Sequence, residues 1–156
     1  MKVFILSKAP LEQPGGFAGY AYILAKALTE ARYDVHVFSL SERNEVKKTE
    51  VGTLHSIKSS LAKYSTATIF WHWKIFKKYI ESLIDENERF IVHGIGLYGY
   101  VGVKLKQKFK DKCLFVVSYH TTAENELKWL SIGSEWYSIV TVSYTHLRAH
   151  ETVLDI

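Results

Sequence analysis

Lys2-Val3-Phe4-Ile5-Leu6-Ser7 opens the chain as a continuous apolar run, and the residues that follow it decide the fold. An unbroken run of this length reads as a strand covered on both faces of a parallel sheet. A turn-rich loop comes next, Lys8-Ala9-Pro10-Leu11-Glu12-Gln13-Pro14-Gly15-Gly16. Tyr20, Ile23, Leu24, Ala27 and Leu28 then recur at helical spacing to about Ala31. Asp34-Val35-His36-Val37-Phe38-Ser39-Leu40 is a second strand. Strand, loop, helix and strand in this order form the unit from which doubly wound sheets are built.

The alternation continues outward from that unit. Residues 41–50 are polar and read as loop, and Val51 to Ile57 reads as a third strand. Ile69, Phe70, Trp73, Phe76, Ile80, Leu83 and Ile84 mark one face of a long helix, with Lys74, Lys77, Lys78 and Glu81 opposite. Arg89 to His93 is a strand, Leu97 to Lys110 a helix and Leu114 to Tyr119 another strand. Ala123 to Leu130 reads as helix, and Ser138 to Thr141 opens a further strand. The fold expected is α/β, with a doubly wound, mainly parallel sheet.

A chain of 156 residues is about one domain's worth, and 47% hydrophobic with 23% charged residues is globular composition. Two prolines and no Ser/Gly-rich stretch leave no linker to divide it. The single cysteine, Cys113, excludes an internal disulfide and suits a reducing, cytoplasmic compartment. The first apolar run is too short for a signal peptide or a membrane span. A net charge of +4 favours an acidic contact, but the basic residues are spread over helices rather than gathered in a block. No nucleic-acid partner is expected.

In an open parallel sheet, ligands collect at the carboxyl ends of the strands. Three segments fall there. Pro14-Gly15-Gly16-Phe17-Ala18-Gly19 enters a helix: adjacent glycines let a backbone approach a phosphate, and first-turn N–H groups favour an anion. The same glycines would also serve a tight turn that binds nothing. Gly94-Ile95-Gly96-Leu97-Tyr98-Gly99 matches the dinucleotide fingerprint G-x-G-x-x-G. The next strand, however, ends in Ser118-Tyr119-His120 with no acid for a ribose, and Gly94 to Gly102 reads equally as a helix packed closely on the sheet. In the third segment, Thr121 or Thr122 can cap a helix with Glu124 and Glu126 near its positive end. Capping leaves His120, at the strand's end, unexplained. His36 reads as structural, His72 as a packing or surface residue, and His55 has no partner visible in the sequence. No metal-ligand spacing, nucleophile elbow or P-loop occurs.

The order of these pieces resembles the opening of the family 4 retaining glycosyltransferases. The resemblance is carried by Pro14-Gly15-Gly16, the helix with Leu24-Ala25-Lys26-Ala27-Leu28, and Asp34-Val35-His36-Val37-Phe38. Phe90-Ile91-Val92-His93-Gly94 and Val117-Ser118-Tyr119-His120-Thr121-Thr122 extend it to about residue 141. It implies the GT-B architecture, in which two Rossmann-like domains face each other across a cleft and the N-terminal one holds mainly the acceptor. By the same resemblance, Gly15 and Gly16 contact the donor's diphosphate and His120 faces the donor sugar as the catalytic residue. Phe17, Gly94, Thr121 and Thr122 would line the cleft. Phe17 stands where the family's loop often has a small residue. The reaction implied moves a sugar from a nucleotide-sugar co-substrate to a hydroxyl acceptor, glycan or lipid-linked, with retention and with neither cofactor nor metal. Some members work at the cytoplasmic membrane face, where the helix with Trp71, Trp73, Lys74, Lys77 and Lys78 could rest on anionic lipid.

Val142 to Thr152 resembles, residue for residue, one reading frame of the transposase end and adapter used in DNA sequencing libraries. The expected organisation is therefore an incomplete acceptor-side domain over 1–141 and a non-native tail over 142–156. His146, Arg148, His150 and Glu151 are excluded from the site on that ground. The family's basic pair and spaced glutamates belong to the C-terminal domain, so the chain alone is expected to transfer no sugar. Two other readings stay open: a nicotinamide-dependent oxidoreductase or epimerase domain using Gly94, Gly96 and Gly99, and a non-catalytic α/β binding module.

Overall fold

The structure is a computed structural model and describes residues 1–7, 11, 16–59 and 69–118. The elements are β1 (Lys2–Leu6), α1 (Gly16–Glu30), β2 (Asp34–Ser41), β3 (Glu45–Thr49), β4 (Gly52–Lys58), α2 (Ile69–Glu81), β5 (Phe90–Ile95), α3 (Tyr98–Phe109) and β6 (Cys113–Ser118). They form one six-stranded sheet in the order β3-β4-β2-β1-β5-β6. Only β3 runs antiparallel to its neighbour. The expected helix at 123–130, the strand at 138–141 and the tail at 142–156 lie outside the described residues.

The two sheet faces are filled differently. On one, Phe4, Leu6, Phe38, Leu40, Phe76, Ile80, Phe90, Val92, Tyr98, Val101 and Leu105 form an aromatic-rich core beneath α2 and α3. Phe4 stacks on Phe38 with ring centroids 5.7 Å apart and meets Phe90 edge-on at 5.5 Å. On the other face, Val3, Ile5, Val35, Val37 and Ile95 meet Ala21 and Ala25 of α1. The alternation of β1 explains the division, since successive side chains point to opposite faces.

Two local expectations are corrected. Residues 41–50 contain a strand, β3, whose side chains are almost all exposed. With both faces in solvent the strand carries no hydrophobic alternation, so its sequence reads as loop. In α1 the buried residues are Ala18, Ala21 and Ala25, whereas Ile23 is 68% exposed and Ala27 is exposed. The helix docks on its smallest residues, which bring its backbone close to the sheet. Tyr20, Leu24 and Leu28 flank that contact as partly buried residues.

The sheet has one switch point. From β1 the chain moves out to β2 and β4, then returns to the other side of β1 as β5 and β6. The reversal lies between β1 and β5, where Leu6 pairs with Gly94 at the carboxyl end. In doubly wound sheets this crevice is where ligands bind.

Candidate functional site

Two glycine-bearing helix starts face the switch-point edge. Gly16 begins α1 and is exposed; a Cβ added there, or at Gly19, would meet none of the described residues within 4 Å. Helix geometry leaves first-turn N–H groups without intrahelical acceptors, and no acidic residue lies in this first turn to compete with an anion. Phe17 is half-buried against the α1-side core. Gly15, His120, Thr121 and Thr122 lie outside the described residues.

The second start is closed. A Cβ at Gly94 would fall 2.6 Å from the Tyr98 carbonyl oxygen and 2.8 Å from the Gly99 nitrogen. One at Gly102 would fall 2.0 Å from the Phe115 ring. Gly96, at φ 60°, donates its N–H to the Ser118 carbonyl at 2.9 Å. Gly99 donates to the Gly96 carbonyl at 2.9 Å, and Tyr100 to that of Leu97 at 3.2 Å. A phosphate loop must offer such amides to its ligand, and here the turn and β6 already hold them. Gly94 is buried beneath the first turn of α3.

Between these starts the structure gathers three side chains that sequence reasoning did not single out. Ser118 Oγ, at the end of β6, lies 2.8 Å from Nε2 of the buried His93 on β5. It also lies 2.8 Å from Tyr20 OH on α1. The available signal was register: Ile95 pairs with Ser118, and odd-numbered β5 positions share a face with even-numbered β6 positions. Tyr20 was legible only as one apolar position in a helical stripe.

The other histidines among the described residues pack on the aromatic face of the sheet. His36 Nδ1 lies 2.9 Å from His55 Nε2, supplying the partner the sequence does not reveal for His55. Burial, and to a smaller extent the neighbouring His36, pushes His55 down to about 4. His72, wholly buried, lies 3.1 Å from Tyr98 OH, and burial lowers it to about 4 as well. Both histidines are neutral packing residues at neutral pH. Burial pushes the Cys113 thiol up to about 12, which leaves it unreactive. Among the described residues, no three His, Cys, Asp or Glu side chains group to hold a metal ion.

With the geometry in place, the sequence model of Glycosyltransferase Family 4 matches residues 14–152. The chain belongs to glycosyltransferase family 4. That span begins at the loop entering α1, takes in every later element and runs past Thr141 into the stretch expected to be a tail. Among solved structures, the family 4 chain is similar to sucrose-phosphate synthase from Thermosynechococcus elongatus, with 16% identity and a TM-score of 0.62. The match covers 85% of this chain and 35% of that one, so the chain spans about a third of that structure's length. At this identity the likeness establishes the fold, an α/β sheet of the kind that GT-B glycosyltransferases use. No curated protein sequence matches.

Proposed function

We propose that the crevice between β1 and β5 is the N-terminal-domain side of a glycosyltransferase site. There the loop ending in Gly15-Gly16 receives the diphosphate of a nucleotide-sugar donor. The reading is carried by one observation: among the described residues, Gly16 opens α1 with unfilled space around it and no acid in the first turn. Neither backbone conformation nor packing among the described residues requires a glycine there, whereas a close anion does. His120 is assigned to the donor sugar, with Thr121 and Thr122 beside it, by family resemblance. The transfer is assigned as retaining and metal-independent, to a hydroxyl acceptor, on the same ground.

The partly buried Phe17 packs against the α1-side core. No helix among the described residues is long and apolar enough to cross a membrane. A peripheral role at the cytoplasmic membrane face is supported by α2, where Trp71 is 58% exposed and Lys74 sits 4.7 Å over its ring. Flotation with anionic vesicles tests this, and retention unchanged by Trp71→Ala removes it.

The donor reading is tested by titrating the ¹⁵N-labelled chain with uridine diphosphate and, separately, with NAD. Amide shifts from Gly16 to Gly19, abolished by Gly16→Glu, are the expected result. Shifts centred on Gly96 to Tyr98 with NAD would replace the reading by a dinucleotide site. The chain by itself is expected to show no sugar transfer, since leaving-group stabilisation is assigned to the family's other domain. Turnover in a nucleotide-sugar hydrolysis or transfer assay would refute that assignment.

A further inference from the structure

His36 on β2 and His55 on β4 are both buried, and they meet Nδ1 to Nε2 at 2.9 Å. Register sets Thr53 opposite His36 and His55 opposite Phe38, so the contact runs diagonally between the two strands. A hydrogen bond between two imidazole nitrogens needs one of them bare, whichever ring donates. The neutral pair meets that condition. So does the pair with one proton added, because an imidazolium can donate to an imidazole. A second added proton leaves N–H facing N–H and sets two like charges side by side in a buried site. Asp34 Oδ1, 55% exposed, lies 3.3 Å from His36 Nε2, near enough to offset one charge but not aligned for a hydrogen bond. The elements around the pair otherwise present rings and cations. From β1, Phe4 stacks on His36 at 5.4 Å, and Lys2, opposite Asp34, is already paired with Glu88. From β3, Val46 stands opposite His55, with the exposed Lys48 on the same face. From α2, Phe76 and Tyr79 reach Phe38, which packs on His55 at 4.7 Å.

We propose that His36 and His55 form an acid-opened latch, which holds the β3–β4 hairpin on β2 until the pair takes up its second proton. Among the described residues β3 joins the sheet only through β4, so parting β4 from β2 frees both strands and leaves β2 as the border. Burial, and to a smaller extent His36, pushes His55 down to about 4, below the ordinary histidine value of about 6.5. The open form therefore takes up a proton that the closed form excludes. The latch is at full strength above about pH 6.5 and weakens as pH falls toward 4. It does not depend on what the switch-point crevice binds.

The experiment is amide hydrogen exchange of the whole chain at a series of pH values, each rate divided by the intrinsic chemical rate at that pH. The opening constant of the β4 amides from Thr53 to Ile57 is expected to rise by up to about tenfold per pH unit below about 6.5, while β1 and β5 change less. His55→Gln keeps a group that can donate to or accept from His36 Nδ1 but takes up no proton. It should leave β4 protected at neutral pH and hold its opening constant flat through the same window. His36→Asn should soften the rise severalfold, because its carboxamide can turn an oxygen toward a protonated His55. Acid opening of β4 no greater than that of β1 and β5 overturns the proposal. So does an undiminished rise in His55→Gln. Should His55→Gln fail to fold, His36→Asn decides, and a rise equal to that of the unaltered chain overturns the latch.

Discussion

The starts of α1 and α3 are both rich in glycine, both follow a buried strand and both face the same edge, yet their glycines do opposite work. At α3 the missing side chains are filled by protein: Gly94 lies against the Tyr98 and Gly99 backbone and Gly102 against the Phe115 ring. At α1 no described residue comes within 4 Å of where a Gly16 side chain would begin. The lesson is that a G-x-G-x-x-G spacing reports only that backbones come close. Whether the closeness is to a sheet or to a ligand depends on where the amides go, and at α3 they go to β6 and the turn.

The sharpest way to break this comparison is to add side chains on the closed side. Gly102→Leu is expected to cost about 3 kcal/mol or more, because it forces apart α3 and β6 in a close-packed core. Gly94→Ala acts in the same direction, meeting backbone that cannot rotate away. Urea denaturation measures both, and near-normal stability in either variant would mean that α3 is not docked as described. Next in size is an acid effect confined to the aromatic face. His55 and His72 titrate near 4 when folded, below the ordinary histidine value of about 6.5, so the unfolded chain takes up more protons in between. Stability should be constant above about pH 6.5 and fall progressively as pH drops toward 4. Hydrogen exchange in that window should loosen α2 and α3 before α1, and His72→Gln should flatten part of the decline. Uniform loss of protection would dissolve the distinction between the two helices. The smallest effect is expected on the open side. Gly16→Ala should raise stability by about 0.5–1 kcal/mol through lower unfolded-state entropy, while weakening any uridine diphosphate response. A destabilised Gly16→Ala would show that α1 starts in a more crowded place than the described residues imply.

Much of the fold was legible because its strands read as continuous apolar runs. β1, β2 and β5 are largely buried and β6, though partly exposed, is also an apolar run; each falls within two residues of the range expected from sequence. β3 was hidden because exposure removes the alternation that marks a strand. The docking face of α1 was misjudged for a related reason: the residues that pack tightest are alanines, which hydrophobic periodicity underweights beside Ile23 and Leu24. Gly16's place at the start of α1 was legible through loop chemistry. The Tyr20, Ser118 and His93 contact was not, because it joins residues as many as 98 positions apart and depends on strand order. His55 found its partner the same way, through β2 and β4 lying side by side. Gly15, His120, Thr121 and Thr122 remain expectations from resemblance.

The hidden strand also has a bearing on how molecules meet. Along β3, Lys47 and Lys48 are exposed and Val46 is 67% exposed, on a strand with no neighbour beyond it among the described residues. Two copies that tried to join their sheets along this border would bring each lysine pair against its counterpart, while an antiparallel partner would find only a five-residue strand to template on. The reversed strand therefore makes the molecule sided: one border of the sheet is short and carries charged residues, features that discourage edge-to-edge pairing.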